Sequence, residues 1–422
     1  MQFDIIFSME ANSVPVVLAY IDPGTGSMLL AILIGLVSVI SYSFRSFINK
    51  IRFLRKVDVD QERYPFVIYT DSKRYWNVFE PICEEFEKNK TEIKYLTQSE
   101  DDPVFDHDFK YVLPEYIGNG NRSFSKLNYL KADILLSTTP SLDVYQWKRS
   151  KDVKWYVHVP HAIDGVTMYR LYGIDYYDSL LLNSDCFIDE TRELEHARNL
   201  PEKEIRIVGL TYMDSMKSRY EKSKKVVNER PVVLLAPSWG PSSLLNLYGK
   251  ELIDSLISTG YKIIIRPHPQ SFVSEIEMIY ELRKTYHDIE WNTDVDNFDV
   301  MNRADILISD FSGIVFDYSI IFNKPVICSN VEFDDSVYDC HWLKEDPWRI
   351  AVFSKITREL KKEDFANIKQ VIDECLKDED FAQKRNEVIE ESWKCQGEAA
   401  KNIYAYMSTK LKELQAVSDE SI

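Results

Sequence analysis

The chain has 422 residues, and its 68 acidic and 51 basic residues give it a formal net charge of -17. This charge excludes a general attraction to nucleic acid or to anionic lipid, so any anion that the protein binds must be held by a local basic site. A chain of this length predicts two domains of about 150 residues each. The six cysteines form no C-x-x-C pair, which favours reduced thiols in an intracellular compartment and argues against a zinc site.

The N-terminal segment, residues 1–56, differs in composition from the rest of the chain. The stretch from Gly24 to Phe44 is uncharged and is about long enough to span a bilayer as a helix. No Lys or Arg precedes this stretch, whereas five follow it between Arg45 and Lys56. The positive-inside rule therefore predicts a single-pass anchor in the inner (cytoplasmic) membrane, with the rest of the chain in the cytoplasm. A buried globular helix and a cleaved signal peptide are the alternatives, although a signal peptide begins with a basic region.

Residues 57–225 alternate short apolar runs with segments of helical length. Apolar strands separated by helices are typical of a parallel sheet that is covered on both faces. This pattern predicts a Rossmann-like, doubly wound α/β domain. The predicted strands are residues 66–70, 92–96, 132–138, 154–159, 179–184 and 205–210.

The same alternation returns in residues 226–422, after a charged segment, Lys217–Pro231, that we interpret as an interdomain linker. Two doubly wound domains in series place their ligands at the carboxyl ends of the strands, in the cleft between the domains. From about Thr357 the pattern is helical, and this tail either forms a solvated helix or packs back across the first domain. The predicted strands of the second domain are residues 232–238, 262–267, 304–310 and 325–330.

Two basic side chains follow the second of these strands, in the stretch KIIIRPHP. Pro267 and Pro269 fix the backbone on both sides of His268, so its imidazole has few orientations. Arg266 and His268 therefore offer an anion two fixed donors at the carboxyl end of a strand. A structural histidine is the alternative for His268.

A strand–turn–helix pattern follows in RADILISDFSGIVFDYSIIFNKPVI. Ser312 and Gly313 stand where the first amides of the helix are free, and such a position binds phosphate readily. Asp310 at the strand end and Asp317 one turn into the helix are available to hydroxyl groups of the donor. Helix capping is the alternative role of Ser312 and of the two aspartates.

Two further strand ends carry candidate residues. In VHVPHAIDG, His161 follows Pro160 and precedes small residues, so we expect it to face the cleft as a general base. His158 lies within the strand and is expected to be a core histidine with a satisfied hydrogen bond. In LLAPSWG, Ser238 opens a loop into the same cleft and is a candidate phosphate ligand, with turn formation as the alternative.

Taken in order, the motifs VHVPHAIDG, RIVGLTYMDSM, VVLLAPSWG, KIIIRPHP and ADILISDFSGIVFDYSIIFNKPVI resemble the CDP-glycerol glycerophosphotransferase family of teichoic-acid-type polymer synthesis. The resemblance covers about residues 150–410, and no motif before residue 150 matches. It implies a GT-B fold and a membrane-associated transferase that moves a polyol phosphate from a CDP-activated donor, such as CDP-glycerol, to an acceptor hydroxyl. The implied partners are this donor, a lipid-linked or polymer acceptor and the membrane. The net charge argues against nucleic acid. No metal or cofactor is predicted, because no cluster of His, Asp and Glu has the spacing of metal ligands, and a metal-dependent mechanism is left open.

The resemblance also implies a role for individual residues. His161 matches the acceptor-side base of the family, and His268 matches its pyrophosphate-binding histidine, which makes both candidates for catalysis. Asp310 and Ser312 match the loop that binds the donor phosphate. Asp317 matches the acidic residue of the helix that follows.

The sequence departs from the pattern of the family at two positions. Ala162 follows His161 where the family has glycine, and Gly313 stands in place of a second serine. A GT-B glycosyltransferase that uses a nucleotide sugar and a catalytically inactive binding module of the same fold are the alternatives. No Walker sequence GxxxxGK[ST] occurs in the chain, which argues against an ATPase or a kinase.

Overall fold

The computed structural model describes residues 62–420, without 225, 295 and 330–334, and three isolated positions at 37, 41 and 44. Apart from those three positions, the predicted anchor from Gly24 to Phe44 and its basic flank lie outside the described residues. Within the described part of the chain, no helix is both long and apolar enough to cross a membrane. The described residues from Arg63 onward form one compact unit, which contains every candidate site residue.

The first half of this unit is built on a parallel sheet of seven strands. The strands are β1 (Tyr64–Thr70), β2 (Ile93–Thr97), β3 (Val112–Tyr116), β4 (Ala132–Ser137), β5 (Val153–His158), β6 (Ser179–Leu182) and β7 (Glu204–Ile207). Their order is β3-β2-β1-β4-β5-β6-β7, so the direction in which the chain adds strands reverses between β1 and β4. The sequence pattern does not predict β3, an edge strand that contains Pro114. Proline is tolerated at an edge because its missing N–H removes no bond from the ladder.

The second half contains a parallel sheet of six strands. The strands are β8 (Val232–Leu235), β9 (Lys262–Ile265), β10 (Glu290–Trp291), β11 (Ile306–Ser309), β12 (Val326–Ser329) and β13 (Thr357–Leu360). Their order, β10-β9-β8-β11-β12-β13, repeats the arrangement of the first sheet. The prediction that the chain is helical from about Thr357 is wrong at its start, because β13 pairs with β12 as an edge strand. Only the two end residues of β13 are buried, so its sequence contains no apolar run.

Helices connect the strands, as the doubly wound pattern predicts. The helices are α1 (Trp76–Lys88), α2 (Asn121–Asn128), α3 (Ile188–Ala197), α4 (Thr211–Lys222), α5 (Leu244–Ser258), α6 (Ser271–Ser274), α7 (Ile276–Thr285), α8 (Phe298–Arg303), α9 (Ile314–Phe316), α10 (Trp348–Ile356), α11 (Ile368–Leu376), α12 (Glu379–Ser392) and α13 (Ala399–Glu420). A π-helix, Asp317–Ile321, continues α9. The prediction of a linker over Lys217–Pro231 is wrong for its first residues, because the helix α4 continues to Lys222 and buries Tyr212 and Met216.

The C-terminal helix α13 packs against the first half of the unit. Ile403 and Met407 are fully buried, and the Nζ of Lys410 lies 2.6 Å from a carboxylate oxygen of Glu204 in β7. Of the two alternatives for the tail, packing across the first half is therefore correct. The predicted domain limits near residues 56 and 225 stay predictions.

Candidate active site

A small cleft of about 160 Å³ lies where loops that follow strands of both sheets meet. His161 enters the cleft shortly after the end of β5, and Gly313 and Asp317 enter it after the end of β11. The structure therefore brings together one candidate from the first half and two from the second. Asn77, Ala162, Ile163, Asp164, Tyr212 and Phe316 complete the lining.

The His161 side chain is held by hydroxyl groups and aromatic rings. Its Nδ1 lies 3.1 Å from the Oγ1 of Thr138 and 3.5 Å from the hydroxyl oxygen of Tyr169. Its ring packs between those of Tyr75, at 4.6 Å between centroids, and Tyr169, at 5.3 Å. Burial lowers the pKa of the imidazole, which keeps it neutral near pH 7. Because Nδ1 is engaged, Nε2 is the nitrogen that remains for a ligand.

A second histidine stands behind His161. The Nε2 of His158 lies 3.0 Å from the Tyr169 hydroxyl, so that hydroxyl links the two imidazoles. His158 is fully buried, and burial lowers its pKa to about 3. His158 is therefore the core histidine that the sequence predicts, with a hydrogen bond at Nε2, whereas its buried Nδ1 has no hydrogen-bond partner among the described residues.

On the opposite wall of the cleft, Asp317 begins the π-helix. The Tyr212 hydroxyl donates a hydrogen bond of 2.7 Å to its Oδ1, and burial raises the pKa of the carboxyl group to about 6. Single turns of π-helix inside an α-helix occur frequently at functional sites. Tyr212 belongs to the motif RIVGLTYMDSM, but nothing in the sequence alone singles it out, because its partner is 105 residues away.

An ion pair ties the two walls together. The Arg349 guanidinium, at the start of α10, pairs with the Asp164 carboxylate and also donates to the carbonyl oxygen of Phe311. Asp164 lies in the loop of His161, and Phe311 lies in the turn after β11. Both charged side chains are largely buried, at 13% and 8% exposure. Sequence reasoning missed this pair, because its members are 185 residues apart and neither stands in a chemically distinctive pattern.

The carboxylate of Asp310 contacts the protein backbone and is not exposed to a ligand. It is fully buried and accepts hydrogen bonds from the backbone N–H groups of Ser238, at 2.8 Å, and Leu244, at 3.0 Å. Burial raises its pKa. We therefore assign Asp310 a positioning role, which fixes the loop of Ser238 against the turn that carries Ser312.

Ser238 and Ser312 differ in their access to a ligand. The Ser238 side chain is almost completely buried, with 6% of the residue exposed. Ser312 is half-buried, and Gly313 beside it is exposed. Ser312 and Gly313 are therefore the residues of the predicted donor loop that a phosphate reaches without rearrangement.

His268 and Arg266 follow β9 at the same edge of the second sheet, but neither lines the small cleft. The backbone N–H of Gln270 donates to the Nδ1 of His268 at 3.1 Å, so the neutral ring carries its proton on Nε2. Burial lowers the pKa of His268. The Arg266 guanidinium instead donates to the side chain of Asn292 and, at 2.8 Å, to the carbonyl oxygen of Asp294.

The sequence matches the CDP-glycerol:poly(glycerophosphate) glycerophosphotransferase family over residues 52–408. The chain belongs to this family. It is a CDP-glycerol glycerophosphotransferase-like transferase. The family match begins well before residue 150, in a region that contains none of the motifs on which the resemblance rests. A comparison with curated protein sequences gives no match.

Solved structures with the same fold include members of two enzyme classes. The wall teichoic acid polymerase TagF has 14% sequence identity and a TM-score of 0.55, with 88% of this chain and 98% of that chain covered. The UDP-N-acetylglucosamine 2-epimerase from Rickettsia bellii has 13% identity and a TM-score of 0.53, with 84% and 98% covered. At these identities the likeness shows the fold alone, which is an α/β, GT-B-like arrangement of parallel sheets.

Proposed function

We propose that this glycerophosphotransferase-like protein moves glycerol phosphate, or a related polyol phosphate, from a CDP-activated donor to an acceptor hydroxyl in cell-envelope polymer synthesis. One observation carries the proposal. In a member of this family, His161 from one sheet faces Gly313 and Asp317 from the other across a single cleft. A transferase needs such an arrangement, because the acceptor and the donor must meet between a base and a phosphate site.

The proposed reaction is a displacement at phosphorus. The acceptor oxygen attacks the phosphorus of the glycerol phosphate group, the anhydride bond to the nucleotide breaks, and CMP leaves. His161 accepts the proton of the attacking hydroxyl on Nε2, since Nδ1 is engaged by Thr138 and Tyr169. Most of the remaining work is positioning and charge stabilisation, as is general for phosphoryl transfer.

The donor phosphates are proposed to bind along the carboxyl edge of the second sheet. The turn at Ser312 and Gly313, which is half-buried at the serine and exposed at the glycine, offers backbone amides. His268 offers an Nε2–H, because the backbone N–H of Gln270 fixes the tautomer of its ring. The Oδ1 of Asp317 accepts from Tyr212, which leaves its other oxygen for a hydroxyl of the donor. Arg266 supports this edge through the loop after β10.

The experiment that tests the proposal is a nucleotide-release assay. Purified protein is incubated with an acceptor and, separately, with CDP-glycerol, UDP-sugars and CMP-sugars. We expect CMP to be released from CDP-glycerol, with one glycerol phosphate joined to the acceptor for each CMP. Release of nucleotide from a sugar donor alone would assign the protein to the glycosyltransferases, and no release from any donor would support an inactive binding module.

We further propose that residues 1–56 hold the catalytic unit at the cytoplasmic face of the inner membrane, with the basic cluster from Arg45 to Lys56 at the lipid headgroups. The uncharged stretch and its one-sided basic flank support this placement. Removal of residues 1–56 should release a unit that is soluble without detergent. If the full-length protein is already soluble without detergent, the anchor proposal is wrong.

A further inference from the structure

The loop after β1 stands where a doubly wound sheet binds ligands. The strand order of the first sheet reverses between β1 and β4, and ligands of such sheets bind outside the carboxyl ends of the strands at this point. The segment that leaves β1 runs over residues 71–75 and leads directly into α1. Asn77, in the first turn of α1, lines the small cleft, so this loop connects the reversal point with the candidate active site.

Arg74 is the exposed cation of this loop that lies nearest to His161. Its guanidinium carbon lies 4.6 Å from the centroid of the Tyr75 ring, within the range of a cation–π contact. The Tyr75 ring itself packs on the imidazole of His161 at 4.6 Å between centroids. One aromatic ring therefore separates a fixed positive charge from the proposed base.

The carboxylates near Arg74 have other hydrogen-bonding partners. The adjacent Lys73 pairs with Asp101, and the Asp71 carboxylate accepts a hydrogen bond of 3.0 Å from the hydroxyl of Thr139. Among residues 62–420, with the gaps given above, no ion pair involves Arg74. In a chain with a net charge of -17, an exposed guanidinium without a carboxylate partner is available to an anionic ligand.

We propose that Arg74 forms an acceptor-side anion site, which binds the phosphodiester next to the hydroxyl that attacks. The inference rests on the proposed function. A growing polyol phosphate chain carries its terminal hydroxyl a few carbon atoms from its last phosphate. That spacing suits a guanidinium placed one ring away from the base. The planar fork of arginine matches two phosphate oxygens, so Arg74 selects acceptors that already carry a phosphate over neutral ones.

The test compares two acceptors and three variants. One synthetic acceptor ends in glycerol phosphate units, and the other is a neutral lipid with the same terminal glycerol but no phosphate. Arg74→Ala removes the charge, Arg74→Lys keeps the charge without the fork, and Lys73→Ala removes a neighbouring charge that is already paired with Asp101. For each protein, the acceptor KM, the kcat and the equilibrium binding of the phosphate acceptor without donor are measured, with circular dichroism as the folding control.

We expect Arg74→Ala to raise the KM for the phosphate acceptor, and to weaken its binding without donor, by roughly 10- to 100-fold. The neutral acceptor should react equally with Arg74→Ala and with the parent protein, and Arg74→Lys should recover part of the loss. An equal loss on both acceptors, or the same loss in Lys73→Ala, would overturn the proposal. The binding arm needs no donor, so unchanged binding in folded Arg74→Ala refutes the anion site even if the protein proves not to use CDP-glycerol.

Discussion

The two halves of the protein hold their candidate histidines in different ways. In the first half, the Nδ1 of His161 contacts the hydroxyls of Thr138 and Tyr169. In the second half, the Nδ1 of His268 accepts a backbone N–H. A hydroxyl both donates and accepts, whereas a backbone N–H only donates. Burial lowers the pKa of both rings, so the partner of Nδ1, and not the pKa, separates the two roles.

The partner of Nδ1 suits each histidine to the role that we propose for it. His161 can carry its proton on Nδ1 and present a free Nε2, which a general base requires. His268 is held with its proton on Nε2 and can only donate a hydrogen bond there, which suits an oxyanion such as a phosphate oxygen. In the proposed reaction, the first half therefore supplies proton transfer and the second supplies charge stabilisation.

The largest effect is expected from the loss of the proposed base. His161→Ala should lower the single-turnover rate by a factor of roughly 10² to 10⁴, since this is the usual contribution of one general base. The rate is measured with enzyme in excess over CDP-glycerol, beside a thermal unfolding control. Near-normal turnover in folded His161→Ala would show that His161 is not the base, and the proposed difference in role between the two halves would then be wrong.

The ion pair between the walls is expected to contribute to stability. Arg349→Ala should lower the free energy of unfolding by about 3–5 kcal/mol, because it leaves Asp164 buried without its partner. Urea unfolding measures this change. Arg206→Ala is the matched control, because Arg206 is 57% exposed in its pair with Glu204 and such pairs contribute little. Equal effects of the two substitutions would show that the buried pair does not hold the walls together.

Loss of the donor-side histidine should impair binding and chemistry together. His268→Ala is expected to lower kcat/KM for CDP-glycerol by roughly 10- to 100-fold, because the lost hydrogen bond is made to a charged group in both ground and transition states. Steady-state kinetics with varied donor measure this change. An unchanged kcat/KM would exclude His268 from the donor site.

The Thr138 hydroxyl should help to hold the ring of His161. Its Oγ1 lies 3.1 Å from the Nδ1 of His161, so Thr138→Val removes one of the two hydroxyls that engage this nitrogen. Turnover at pH 7 should fall by roughly 2- to 10-fold. Thr138→Ser keeps the hydroxyl and should behave like the parent, and an equal loss of turnover in the serine variant would contradict the assignment.

A similarly small effect is expected at Ser312. Ser312→Ala should reduce donor affinity by only about 2- to 10-fold, because the backbone amides of the turn remain in place. Isothermal calorimetry with CDP-glycerol measures the change. A loss as large as that of His268→Ala would mean that the hydroxyl, and not the backbone, binds the phosphate.

The sequence predicts those parts of the fold that are encoded locally. The buried strands from β4 to β6 and from β8 to β12 stand out as apolar runs, except for the two-residue β10. The placement of His161 and Gly313 at the carboxyl edges follows from the strand ends that precede them. The edge strands β3 and β13 are not predicted, because half-buried edge residues need not be apolar.

The rest of the site depends on contacts between distant parts of the chain. Tyr212 contacts Asp317 across 105 residues of sequence, and Arg349 contacts Asp164 across 185. Asp310 looks like a ligand in the sequence because it precedes the donor turn, but its carboxylate is used by two backbone amides. The path of the loop that contains Ser238 brings these amides to the carboxylate of Asp310, and no local sequence pattern specifies that path.

The most direct test of the division between the halves is the affinity for CDP-glycerol of His161→Ala and His268→Ala, measured by calorimetry under the same conditions. The proposed roles predict a dissociation constant near that of the parent protein in His161→Ala. They predict a constant raised by roughly 10- to 100-fold in His268→Ala. Equal constants in the two folded variants, or a weaker affinity in His161→Ala than in His268→Ala, would contradict the assignment of base and donor site.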